Sequence, residues 1–74
     1  LANITADVLL ILSESIPKHV KNGGVMVMSG IIKSRVNEVI DRYSSIDFVL
    51  EDRKDEGEWI ALVMRKKGGE NDRK

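Results

Sequence analysis

Seventy-four residues carry 12 Lys and Arg against 12 Asp and Glu, one His, three aromatic residues and no Cys, which fits one small domain or a piece of one. Balanced charge removes the surplus of Lys and Arg that a nucleic-acid binder gathers on one face to contact phosphates. Without cysteine there is no disulfide framework, thiolate nucleophile or cysteine metal cluster, and one His cannot supply the imidazoles usual in a zinc site. The apolar run Val8 to Leu12 falls far short of the roughly 20 residues of a membrane-spanning helix. The amino end lacks the basic start of a signal peptide, and an opening at Leu1 directly into a helix-like pattern is what a chain cut from a longer one would show.

Asn3 and Thr5 are both suitable helix caps, and Val8, Leu9, Leu12, Ile16 and Val20 then recur at spacings of three and four, which predicts a helix from about Ala6. Pro17 has no N–H to donate, so this helix is expected to kink there, or to end and restart with Pro17 in a first turn. Lys21-Asn22-Gly23-Gly24 follows as a stop and turn. Val25 to Ser29, apolar without polar alternation until Ser29, predicts a strand buried on both faces. From about Ser34 the residues Val36, Val39, Ile40 and Tyr43 fall at i, i+3, i+4 and i+7 and predict a surface helix, which Ser44 and Ser45 break. Ile46, Phe48 and Leu50 alternate with Asp47, Val49 and Glu51 as in an edge strand, Asp52 to Gly57 reads as a charged turn, and Trp59 to Met64 is apolar on both sides.

A last strand apolar on both sides must lie inside the sheet with layers above and below it. A short turn makes it antiparallel to the Ile46 strand, while a helix links the first two strands and implies a parallel crossover between them. The expected fold is therefore α/β: helix, strand, helix, strand, strand, in a mixed sheet with the last strand antiparallel and inserted between the other two. Gly68, Gly69 and the polar Glu70 to Lys74 cannot bury enough apolar area to order themselves, so residues 67–74 are expected to form a disordered tail after a domain ending near residue 66.

This order of elements is similar to the second half of the Rossmann-like fold of S-adenosylmethionine-dependent methyltransferases. Leu1-Ala2-Asn3-Ile4 resembles the end of that fold's fourth strand, and Val20-Lys21-Asn22-Gly23-Gly24 resembles the turn before its fifth. Met28-Ser29-Gly30-Ile31-Ile32 resembles the end of the fifth strand, and Gly57-Glu58-Trp59-Ile60 the opening of the last. Together, from about residue 1 to 66, they resemble the PrmA-type family, lysine methyltransferases of ribosomal protein L-eleven. The resemblance implies transfer of a methyl group from S-adenosylmethionine to amino groups of a ribosomal protein in the cytoplasm. It also implies that the glycine-rich cofactor loop and the acidic residue after the second strand lie outside this chain, which by itself would be inactive and would not hold the cofactor.

By the same resemblance Asn3 lines the methyl-transfer centre, where its amide would orient the substrate amine; its bland role is a helix N-cap. Asn3 and Ile4 would then touch the cofactor, and Thr5, Ser29, Gly30 and Ile31 would border the substrate pocket at the carboxyl end of the first strand, where open α/β sheets place ligands. Trp59 could stack on a ligand but reads as core. His19, beside Lys18 and Lys21, reads as a solvated residue favourable to a helix dipole, and the carboxylates Glu51, Asp52, Asp55, Glu56 and Glu58 as a solvated hairpin tip instead of a metal site. A free-standing interaction module that kept this half-sheet and lost catalysis is the competing reading. In either case an apolar strand edge left open at Val25 to Ser29 would invite self-association or a second chain.

Overall fold

The computed structural model describes residues 4–68. Helix α1 (Ile4–Leu12) is followed by a single 3-10 turn at Ile16–Lys18 and strand β1 (Val25–Ile32). A second 3-10 turn at Lys33–Arg35 leads into α2 (Val36–Ser44), after which β2 (Phe48–Glu56) and β3 (Trp59–Lys66) form a hairpin. The strand order is β1-β3-β2, and β3 is antiparallel to both neighbours. The last strand is thus inserted between the first two, as the alternation of Trp59 to Met64 requires. Because β1 and β2 are never adjacent, every ladder in the sheet is antiparallel, and the expected mixed character is confined to the shared direction of the two outer strands.

Pro17 sits in the 3-10 turn, so the chain ends α1 and restarts instead of kinking one long helix. The phase of α1 differs from the expected Val8-Leu9-Leu12 stripe. Ala6 and Ser13 are buried and Leu9 and Leu10 pack on the core, whereas Val8, Leu12 and above all Ile11, 71% exposed, face outward. A helix apolar on nearly every side does not fix its own rotation; contacts with β1 and α2 do. In α2 the sequence determines the phase, since only Val36, Val39, Ile40 and Tyr43 offer an apolar stripe, and Val36, Val39 and Tyr43 are buried.

Both helices cover one face of the sheet. Met28 and Ile31 of β1, Phe48 of β2 and Ile60, Leu62 and Met64 of β3 are buried with Ala6, Val36, Val39 and Tyr43 in a single core, each large side chain stabilising the fold by about 1.5–3 kcal/mol. Tyr43 and Phe48 meet edge to face at 5.6 Å between ring centroids. The opposite face is uncovered: Val25, Val27, Val49 and Trp59 are exposed, Val27 to 68%. Two expectations are corrected here. β1 is buried on one face instead of two, and β3 lies between neighbours but under a layer on one side alone. Apolar alternation on both sides marks a strand suited to burial on both faces, and this chain supplies helices for only one.

The charged segment from Asp52 is also a correction. It continues β2 to Glu56 and pairs residue by residue with β3, so that the turn shrinks to Gly57-Glu58. Cross-strand pairing with Trp59 to Val63 supports a stretch that composition alone assigns to solvent. At the other end of β3, Gly24 tolerates the close approach of the preceding loop, where an added Cβ would lie 2.8 Å from the Lys21 carbonyl oxygen. Of the tail expected at 67–74, residues 69–74 lie outside the described residues.

Candidate functional site

The carboxyl end of β1 is shaped by one glycine. Gly30 adopts φ +76°, and the β1/β3 register shifts between Met28 and Ile31. This bulge breaks the pleat so that Met28 and Ile31 both reach the core while Ser29 and Gly30 stay exposed between them. A shallow cleft of about 140 Å³ forms there on the uncovered face, lined by Ser29 and Gly30, by Lys54 and Glu56 of β2, and by Trp59, Ile60 and Ala61 of β3. An adjoining depression of about 470 Å³, open to solvent, is bordered by Ile32, Lys33, Ser34 and Glu58. The Lys33 N–H donates to the Glu58 carbonyl at 2.8 Å and closes this end of the sheet.

The electrostatics of the hairpin are local. Arg53 grips Asp55 with two hydrogen bonds, Nε to Oδ1 at 2.9 Å and Nη2 to Oδ2 at 3.1 Å, and Lys33 Nζ stands 3.8 Å from Asp55 Oδ2. The Arg53 hydrogen bond, aided by its charge and that of Lys33, holds the Asp55 carboxyl below the usual range. Further along, Arg65 takes Glu51 in a two-pronged pair, Nε to Oε2 at 2.7 Å and Nη2 to Oε1 at 2.9 Å, which lowers the Glu51 carboxyl for the same reason. Among the described residues no three His, Asp or Glu side chains converge as a metal site, and no helix is long and apolar enough to cross a membrane. His19 caps its turn, with Nδ1 3.0 Å from the Ser15 carbonyl.

The expected site residues separate into three groups. Ser29 and Gly30 lie together on the cleft. Ile31, one step on, is fully buried in the core on the other face and does not join them. Asn3 lies outside the described residues; Ile4 opens α1 and Thr5 follows in its first turn. Trp59, read from the sequence as core, is 39% exposed and forms one wall of the cleft, because it falls on the uncovered side of β3. Lys54 and Glu56 were concealed in the sequence by their place in a charged run; only pairing opposite Ala61 and Trp59 brings them onto the cleft.

Comparison with known proteins places this chain in a family. The family model described as ribosomal protein L11 methyltransferase (PrmA) matches residues 1–67. The chain belongs to the PrmA family. Among curated relatives named ribosomal protein L11 methyltransferase, that of Thermoanaerobacter pseudethanolicus is 48% identical over 66 residues, covering 89% of this chain and 21% of the relative. That of Caldanaerobacter subterraneus subsp. tengcongensis is 42% identical over 67 residues, covering 90% of this chain and 21% of the relative. That of Nitratiruptor sp. is 38% identical over 69 residues, covering 93% of this chain and 24% of the relative. The chain therefore spans about a fifth to a quarter of the length of these PrmA relatives.

The concavities do not fit a nucleoside cofactor. The cleft is below the roughly 300–1,000 Å³ of sites that enclose molecules of that size, and the larger depression is an open surface bordered by four residues. Neither has the glycine-rich loop between a strand and a helix that presents backbone N–H groups to such a ligand. What the arrangement offers is a rim: an indole wall, a hydroxyl, one Lys and one Glu at one end of the sheet.

Proposed function

We propose that this chain is the carboxyl-terminal part of the catalytic domain of an S-adenosylmethionine-dependent protein methyltransferase, the second half of a Rossmann-like sheet. The whole protein would methylate lysine amino groups of a ribosomal protein in the cytoplasm. The observation that carries the reading is the family match over residues 1–67, supported by a sheet in which β3 is inserted antiparallel between β1 and β2.

The roles follow residue by residue. Asn3 is the positioning residue, its amide oxygen accepting from the substrate amine and fixing the direction of the nitrogen lone pair, a contribution of orientation instead of covalent chemistry. Ile4 would flank the cofactor and Thr5 the substrate beside Asn3. Ser29 and Gly30 form the rim of the substrate pocket at the end of β1, and Ile31 supports that rim from the core. The cofactor would be held mainly by parts of the protein outside these 74 residues, so the chain alone is inactive.

The test is a calorimetric titration of S-adenosylmethionine into the chain once circular dichroism has shown it folded. No heat is expected, and addition of the amino-terminal part of a PrmA relative should restore binding and methyl transfer to the ribosomal protein. Saturable one-to-one binding by the chain alone would overturn the half-domain reading. Failure of two folded halves to restore activity would favour the non-catalytic interaction module.

A further inference from the structure

The two ends of α1 are tied to the rest of the molecule by different side chains. Its carboxyl end is held by Tyr43 and Arg42 of α2, through the Leu9 carbonyl and Ser13. At its amino end Ala6 is buried but offers the core a single methyl group. The neighbouring Asp7 accepts at Oδ1 from Arg35 Nη2 at 2.9 Å, a bond between segments 28 residues apart in the chain. Arg35 closes the 3-10 turn that follows β1. Its Nε donates to Glu38 in the first turn of α2, so carboxylates from two helices share one guanidinium. A planar fork bound at two points keeps a fixed direction, which an ammonium on a flexible stem does not. The Arg35 side chain is 30% exposed against 62% for Asp7, which makes Arg35 the better anchored of the two.

We propose that Arg35 is a positioning residue for methyl transfer. By holding Asp7 it fixes the first turn of α1, which carries Thr5 and follows directly on Asn3 in the chain, relative to the end of β1, where Ser29 and Gly30 border the cleft. The role rests on Asn3 being the residue that orients the substrate amine. Such orientation is demanding: the attacking nitrogen must lie in line with the methyl group, and a misplacement of about 1 Å can slow a reaction about a hundredfold. Apolar packing alone does not supply that precision, because a helix apolar on nearly every side can turn about its axis without losing burial. Nor does the pair act through stability, to which ion pairs this exposed contribute little. Arg53 and Arg65 differ, since their partners Asp55 and Glu51 lie within the β2–β3 hairpin itself.

The test is steady-state methyl transfer from S-adenosylmethionine to ribosomal protein L11 by the whole protein that contains this chain, compared with its Asp7→Ala, Arg35→Met, Asp7→Ala/Arg35→Met and Asn3→Ala variants. Asp7→Ala and Arg35→Met are each expected to lower kcat by about tenfold or more, with the cofactor KM and the thermal unfolding midpoint nearly unchanged. The double variant should lose no more than Arg35→Met alone, because both changes break one bond, and Asp7→Glu, which keeps a carboxylate for Arg35, should retain most of kcat. A loss in Asn3→Ala with full kcat in Asp7→Ala and Arg35→Met would overturn the role of Arg35 and leave that of Asn3 standing. Full kcat in Asn3→Ala would overturn the role of Asn3, and that of Arg35 with it. Additive losses, or losses that track a fall in the unfolding midpoint, would make the pair a stability contact and also overturn the proposal. Should Arg35→Met fail to fold, the contrast between Asp7→Ala and Asp7→Glu decides: equal kcat in the two excludes the bond to Arg35 as the cause.

Discussion

The Tyr43 hydroxyl donates to the Leu9 carbonyl at 2.7 Å, a bond that ties the buried stripe of α2 to the main chain of α1. Beside it Arg42 Nε donates to Ser13 Oγ at 2.7 Å, and Ser13 Oγ donates to the Leu10 carbonyl at 2.6 Å. These polar contacts pin the rotation of α1, which its apolar composition leaves free.

Tyr43→Phe keeps the ring against Phe48 and removes only the hydroxyl. Because the Leu9 carbonyl also accepts from the Ser13 N–H, no buried acceptor is orphaned, and the loss should be about 0.5–1.5 kcal/mol by urea denaturation. Tyr43→Ala should lose about 3–5 kcal/mol. Burial raises the Tyr43 phenol above its ordinary value, outweighing the opposing charge of Arg42. The folded state thus holds the proton more tightly than the unfolded chain, so this contribution to stability is complete below about pH 10 and is lost as pH rises toward the folded value. Absorbance titration of the tyrosinate should show the shift.

Glu51 titrates in the opposite sense. Its hydrogen bonds from Arg65 lower the folded value, so the pair contributes above the unfolded carboxylate range and its contribution is lost as pH falls through the lowered value. Arg65 Nη1 also donates to the Gly23 carbonyl at 2.9 Å, so Arg65→Lys should lose both the two-pronged grip and the tie to the loop before β1. Carboxyl carbon NMR of Glu51 should then move back toward the ordinary range. No return would mean that the pair does not form in solution.

Backbone conformation separates two positions. Among the described residues Asp47 is the non-glycine residue with positive φ, at +75°, and its carbonyl accepts from the Lys67 N–H at 2.8 Å. Asp47→Gly should be neutral or stabilising by up to about 1 kcal/mol, and Asp47→Val destabilising by about 1–2 kcal/mol. Gly30→Ala forces a side chain into the left-handed region and should lose about 1–2 kcal/mol. Thermal unfolding of the three variants checks the order.

Lys66 works as a cap. Its ammonium donates to the Pro17 carbonyl and, at 2.9 Å, to the Val20 carbonyl, closing the 3-10 turn onto the end of β3. Lys66→Met keeps the aliphatic stem but leaves both carbonyls without this donor, and should lose about 1–3 kcal/mol in urea. Hydrogen exchange should quicken at Gly23, whose N–H donates to the Lys66 carbonyl.

Sequence by itself determined the element order, the phase of α2 and the inner position of β3. In each case the apolar spacing admits a single arrangement: Val36, Val39, Ile40 and Tyr43 have no rival stripe, and Trp59 to Met64 suits no edge. The family resemblance was legible too, in short motifs whose order matters more than any one of them. Tertiary structure alone decided which side of α1 is buried, how far the charged β2 extends, and which face of the sheet stays open. Those depend on partners distant in the chain: Arg42 reaching Ser13, β3 lending its ladder to Asp52 through Glu56, and both helices falling on one side. The cleft shows the same division. Ser29 and Gly30 were visible as the end of a strand, whereas Lys54, Glu56 and Trp59 join them only through cross-strand register, because a side chain's face is set by pairing and not by its own identity.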